Sequence, residues 1–96
     1  MTIQFENVRT VSTSGSCLQG YIETTYDELV NVFGEPTKLK GDKVNVEWTI
    51  LFSDGTVATI YDWKQPETPM EYYPWHIGGF TQRAAKLVTN CMPATV

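Results

Sequence analysis

Three groups of residues in this 96-residue chain are of types that can do chemistry. The first is Trp75-His76-Ile77-Gly78-Gly79-Phe80-Thr81, followed by Gln82, Arg83 and Lys86. Two glycines ahead of a helix leave backbone amides open, and the helix dipole favours an anion there. His76 and Arg83 add charge, and Trp75 with Tyr72 or Tyr73 offers rings on which a base can stack. That set suits a small nucleotide-like or otherwise anionic ligand. The same residues also read as plain structure: a tight turn at Gly78-Gly79, a core Trp75 and a His76 bonded to backbone. The plain reading is the more frequent one.

The second group is Glu47, Asp62 and Lys64. Opposed carboxylates repel, which raises the pKa of one of them when the pair is partly buried and can make an acid/base pair. On a solvated sheet face the same residues do nothing but stay soluble, with Lys64 reaching across diagonally. The third group, Tyr72 and Tyr73, lies between Pro69 and Pro74, where aromatic rings are hard to bury and resemble interface anchors.

Several chemistries are missing. The sequence holds no phosphate-binding loop, nucleophile elbow, H-E-x-x-H or G-x-G-x-x-G. A single histidine excludes a multi-histidine metal site within one subunit, and Cys17 and Cys91 lack C-x-x-C spacing. Neither a cofactor nor a metal is expected. The net charge of −4, with only seven basic residues spread along the chain, argues against direct nucleic-acid binding. An acidic surface suits a basic partner but is also ordinary solubility. No apolar run reaches membrane-spanning length, and the chain opens on strand-like alternation rather than a leader, so a cytoplasmic location without membrane contact is expected. Cys17 and Cys91 are expected as free thiols, with a disulfide between them left open.

The elements that must position these groups centre on Val44 to Lys64. Two alternating runs flank Asp54-Gly55, the strongest short-range signal for a β-hairpin. With a two-residue turn there, Phe52 pairs with Val57, Ile50 with Thr59, Trp48 with Tyr61 and Val46 with Trp63. Trp48, Tyr61 and Trp63 then share a core face. Glu47 falls opposite Asp62 and Asn45 opposite Lys64 on the other face.

Before the hairpin, Ile3, Phe5, Val8 and Val11 suggest a first strand that slips phase near Asn7, and Leu18 to Glu23 a second strand interrupted by Gly20. Thr25 and Glu28 fit a capping box. Tyr26, Leu29, Val30 and Phe33 recur at helical spacing, and Gly34 with Pro36 ends the helix. After the hairpin, Gln65 to Pro74 reads as a long proline-bearing loop and Trp75-His76-Ile77 as a short strand broken by Gly78-Gly79. Thr81 is expected to cap a second helix through about Asn90, with Ala84, Leu87, Val88 and Cys91 buried. The order predicts one α+β domain over 1–96, a mainly antiparallel sheet with a central β-hairpin and two short helices packed on one face.

The combination Tyr26-x-x-Leu29-x-x-x-Phe33-Gly34-x-Pro36, Trp48, Asp54-Gly55, Ile60-Tyr61-Asp62-Trp63-Lys64 and Trp75-His76-Ile77-Gly78-Gly79 resembles a family of small accessory proteins of tailed bacteriophages. It covers most of the chain from Tyr26 to Gly79. The resemblance implies a protein made in an infected host cell that acts by binding, against a host defence. The expected function is sequestration of a small nucleotide-like ligand at Trp75, His76, Gly78, Gly79, Arg83, Tyr72 and Tyr73. The alternative is inhibition of a host defence protein, such as a nuclease, through the Pro66–Pro74 loop. An enzyme built on Glu47, Asp62, Lys64 and His76 ranks third. A homo-oligomer stays open.

Overall fold

Every backbone donor in a sheet needs a partner, and here six strands supply them in one mainly antiparallel sheet. A computed structural model describes residues 4–8 and 11–92. The elements are β1 (Phe5–Asn7), β2 (Cys17–Thr24), α1 (Tyr26–Phe33), β3 (Lys38–Leu39), β4 (Val46–Phe52), β5 (Val57–Tyr61), β6 (Tyr73–Gly79) and α2 (Arg83–Cys91). Strand order is β1-β4-β5-β6-β2, with β3 also on β4. The expected α+β architecture is present, with the β4–β5 hairpin at its centre and both helices on one face.

The hairpin register differs from the expected one by a single residue. Glu47 pairs with Tyr61, Trp48 with Ile60, Thr49 with Thr59, Ile50 with Ala58 and Leu51 with Val57. The cause is the turn. Phe52 N–H donates to the Thr56 carbonyl at 2.8 Å and Gly55 N–H to the Phe52 carbonyl at 2.9 Å, which encloses Ser53-Asp54-Gly55 in a three-residue loop. Gly55 takes φ 90°, the left-handed position of such loops. A one-residue slip moves a whole strand's side chains to the other face. Ala58, Ile60 and Asp62 therefore join Val46, Trp48, Ile50 and Phe52 inside. Thr59, Tyr61 and Trp63 face the opposite way.

The core lies between that inner face and the helices. Trp48 and Trp75 meet edge-to-face at 5.6 Å, and Leu29 and Phe33 of α1 and Ala84, Leu87 and Val88 of α2 close over them. Both buried indoles spend their N–H groups on backbone carbonyls, Trp48 on Gly34 at 2.8 Å and Trp75 on Thr24 at 3.1 Å. The edge strand β1 is short, as the phase slip at Asn7 foretold. The Asn7 side chain donates to the Phe33 and Glu35 carbonyls, so it holds the end of α1. Ile3 lies outside the described residues. Cys17 and Cys91 are free.

Thr25 caps α1 as expected, accepting from Glu28 N–H at 3.2 Å. The Glu28 carboxylate instead takes the Thr24 hydroxyl, at 2.8 Å. Gly34 ends the helix at φ 86°, ψ −168°, a region open essentially to glycine alone. A Cβ added there would meet nothing closer than the Asn7 side chain at 3.8 Å, so its cost would be backbone strain rather than a clash. Gly34→Ala should therefore lower stability by about 1–3 kcal/mol, read as a reduced urea midpoint at unchanged slope.

Candidate functional site

With both helices on one side, the other face of the sheet has no helix to cover it. Its centre is a straight row across neighbouring strands. Tyr21 of β2 pairs with His76 of β6, His76 with Tyr61 of β5, Tyr61 with Glu47 of β4, and Glu47 with Lys38 of β3. The rings are in contact: Tyr21 to His76 is 4.8 Å, Tyr61 to His76 5.4 Å, and Trp63 joins His76 at 6.3 Å. Tyr21 is 57% exposed and Trp63 40% exposed, so the row is reachable at both ends. β1 and β2 lie at opposite edges of the sheet, and the link between them brings Thr13 over this face beside Lys38, Glu47 and Trp63. A shallow depression of about 510 Å³ opens there.

The row shifts the ionisation of its own members. Burial pushes the His76 imidazole below its usual range, and the Asp62 charge opposes that only in part. Its Nδ1 is buried with no hydrogen-bond partner among the described residues. Burial raises Glu47, with Lys38 at 3.9 Å pulling the other way. Tyr61 is raised by burial and then by Glu47. At neutral pH the row presents a neutral imidazole between two phenols, bordered by a Glu–Lys pair.

The expected sites come out as follows. Trp75 is fully buried in the core and cannot stack on a ligand. Gly78-Gly79 is not a turn: both residues continue β6, flanked by β5 and β2, so their backbone groups serve the ladders and leave no open anion nest. The reason is close approach. A Cβ at Gly79 would lie 2.5 Å from the Ala84 Cβ and one at Gly78 2.5 Å from the Thr59 hydroxyl. Arg83 lies on the helix side, opposite His76, and pairs with Asp54 at the hairpin tip. The Asp54 carboxyl is drawn down to about 2, chiefly by the Thr56 backbone N–H, with the Thr56 hydroxyl and Arg83 adding to it. Thr81 does not cap α2; Gln82 occupies that position without a side-chain bond. Tyr73 packs on Trp75 and its hydroxyl accepts from Trp63 N–H, while Tyr72 is 66% exposed.

The Glu47–Asp62 pair dissolves with the register. Asp62 is fully buried on the inner face. It accepts from Asn45 N–H at 2.7 Å, Asn45 Nδ2 at 2.7 Å and Val46 N–H at 3.2 Å. It is a clamp that joins the start of β4 to the end of β5. Lys64 follows it at φ 54°, its N–H donating to the Lys43 carbonyl at 2.8 Å.

Tyr21, Tyr61, Trp63, Lys38 and Lys43 are the residues of this face that sequence reasoning did not bring to the candidate site. The signal lay in the turn: Ser53-Asp54-Gly55 also fits the three-residue loop, and that choice alone exposes Tyr61 and Trp63. Compared with family models, curated proteins and solved structures, the chain matches none of them. No helix among the described residues is long and apolar enough to cross a membrane.

Two outcomes follow from this geometry. Asp62→Ala leaves several amide donors without their acceptor and should cost about 2–4 kcal/mol in chemical denaturation. A lowered His76 pKa means that the unfolded chain binds the proton more readily. His76 thus contributes stability that is present above its ordinary pKa near 6.5 and lost as pH falls through the lower folded value. Unfolding free energies measured across that window should show a dependence that His76→Gln removes.

Proposed function

We propose that this chain is a non-enzymatic binding protein that works through the sheet face opposite the helices and takes a small nucleotide-like ligand. The single observation that carries the reading is the in-register row Tyr21–His76–Tyr61, with Trp63 beside it. Rings held at fixed spacing on a sheet are a stacking platform for bases, and each stacked base is worth about 1–3 kcal/mol. The location differs from the expected Gly78-Gly79 turn. The chemistry asked of it is the same. An enzyme on Glu47, Asp62 and His76 has no such support, because Asp62 lies on the other side of the sheet and Tyr61 separates Glu47 from His76. The resemblance to phage accessory proteins suggests that the ligand is a host signal.

A second reading, inhibition of a host protein, is favoured by one specific observation. Met70 and Tyr72 are 58% and 66% exposed in the loop before β6, next to the acidic Glu67 and Glu71.

Trp48 and Trp75 are fully buried, so indole quenching by a solute reports on Trp63. Titration of nucleotides and cyclic oligonucleotides should quench Trp63 emission and raise the melting temperature for at least one of them. Tyr61→Ala should weaken that binding by at least about tenfold. A panel with no response, together with a host protein captured through Met70 and Tyr72, would leave the inhibitor reading in its place.

A further inference from the structure

Resting on the ligand reading above, we infer that the Trp63 end of the row is a phosphate seat formed by Lys43 and Lys64, and that the ligand class is a nucleoside phosphate rather than a nucleoside or a neutral sugar. Both ammonium groups lie 5.8 Å from the centre of the Trp63 ring. Both lysines also line one depression, and an anion that reaches both ammonium groups gains a charge-assisted bond from each. Among the described residues neither lysine is in a salt bridge, whereas Lys38 is taken by Glu47. Asp42 lines this depression and the larger one beside it, and Glu47, paired with Lys38, lines the larger one.

The seat is built rather than incidental. Lys64 adopts φ 54°, a conformation unfavourable for a side chain of its kind. Its N–H bond to the Lys43 carbonyl sets the two lysine backbones side by side. Asp62 fixes the strands just behind, through Asn45 and Val46, and Asn45 also donates to the Gln65 carbonyl at 3.0 Å. The depression of about 400 Å³ is lined by both lysines with Asn45 and Gln65 and shares Gly41 to Val44 with the larger one. A base on the Tyr61–His76 rings would thus carry its phosphate toward Trp63, where the charge is.

Calorimetric titration of the four ribonucleoside 5′-monophosphates and their matching nucleosides tests this on wild type, Lys43→Met and Lys64→Gly. The phosphate seat predicts that the best monophosphate binds at least about tenfold tighter than its nucleoside, and that either substitution or raised salt removes the advantage. Lys64→Gly should melt no lower than wild type, because glycine suits φ 54°, so lost binding cannot be ascribed to unfolding. Equal binding of monophosphate and nucleoside, or an advantage that survives in either variant, overturns the phosphate seat and leaves the stacking face intact. Binding of neither class to wild type overturns the ligand reading as well.

Discussion

The hairpin loop Ser53-Asp54-Gly55 is the constraint on which the rest depends. Its three residues, with Gly55 in the left-handed region, decide which half of β5 faces the helices. Register in a sheet with one buried face is all or nothing: a slip of one residue would bury Tyr61 and expose Ile60. The inner set of Trp48, Ile50, Ala58 and Ile60 packs against the helices only in the observed pairing. At the far end of the ladder, Asp62 takes the place of a backbone acceptor for Asn45 and Val46 and so locks the same register from the other side. A buried carboxylate is stable in that position because charge-assisted bonds to amide donors offset its desolvation.

Much of this architecture was legible in the sequence. The α1 cap at Thr25, its stop at Gly34, the stripe Ala84–Leu87–Val88 and the hairpin itself all follow from local signals that tertiary packing did not override. The misplaced features share one cause. Asp54-Gly55 serves both two-residue and three-residue loops, and β5 alternates weakly, since Val57, Ala58, Ile60 and Tyr61 are apolar at both parities. Nothing local separated the registers. The buried Asp62 made matters worse, because a carboxylate ordinarily marks the solvent face. Gly78-Gly79 misled differently: its glycines serve close packing by Ala84 and Thr59 inside a strand, where a turn was the more obvious use.

The candidate site was half legible. His76, Glu47 and Lys64 stood out by residue type, but their partners could be known only from strand order. β2 and β6 are far apart in sequence and adjacent in the sheet, which sets Tyr21 beside His76. The same non-local order places Tyr61 on the other side of that imidazole. Net acidity is compatible with an anion site because the charge that matters is local: Lys43 and Lys64 both lie near the Trp63 ring, the carboxylates of Asp62 and Asp54 are spent elsewhere, and Asp42 is the acidic residue shared by both depressions.

The most direct test of this account is the hairpin register in solution. Nuclear Overhauser contacts across β4 and β5 should join Glu47 to Tyr61 and Trp48 to Ile60, with the Tyr61 ring close to His76 and the His76 ring close to Tyr21. Contacts joining Trp48 to Tyr61 and Glu47 to Asp62 would mean that Tyr61 and Trp63 face the helices, and the aromatic face with everything built on it would not exist.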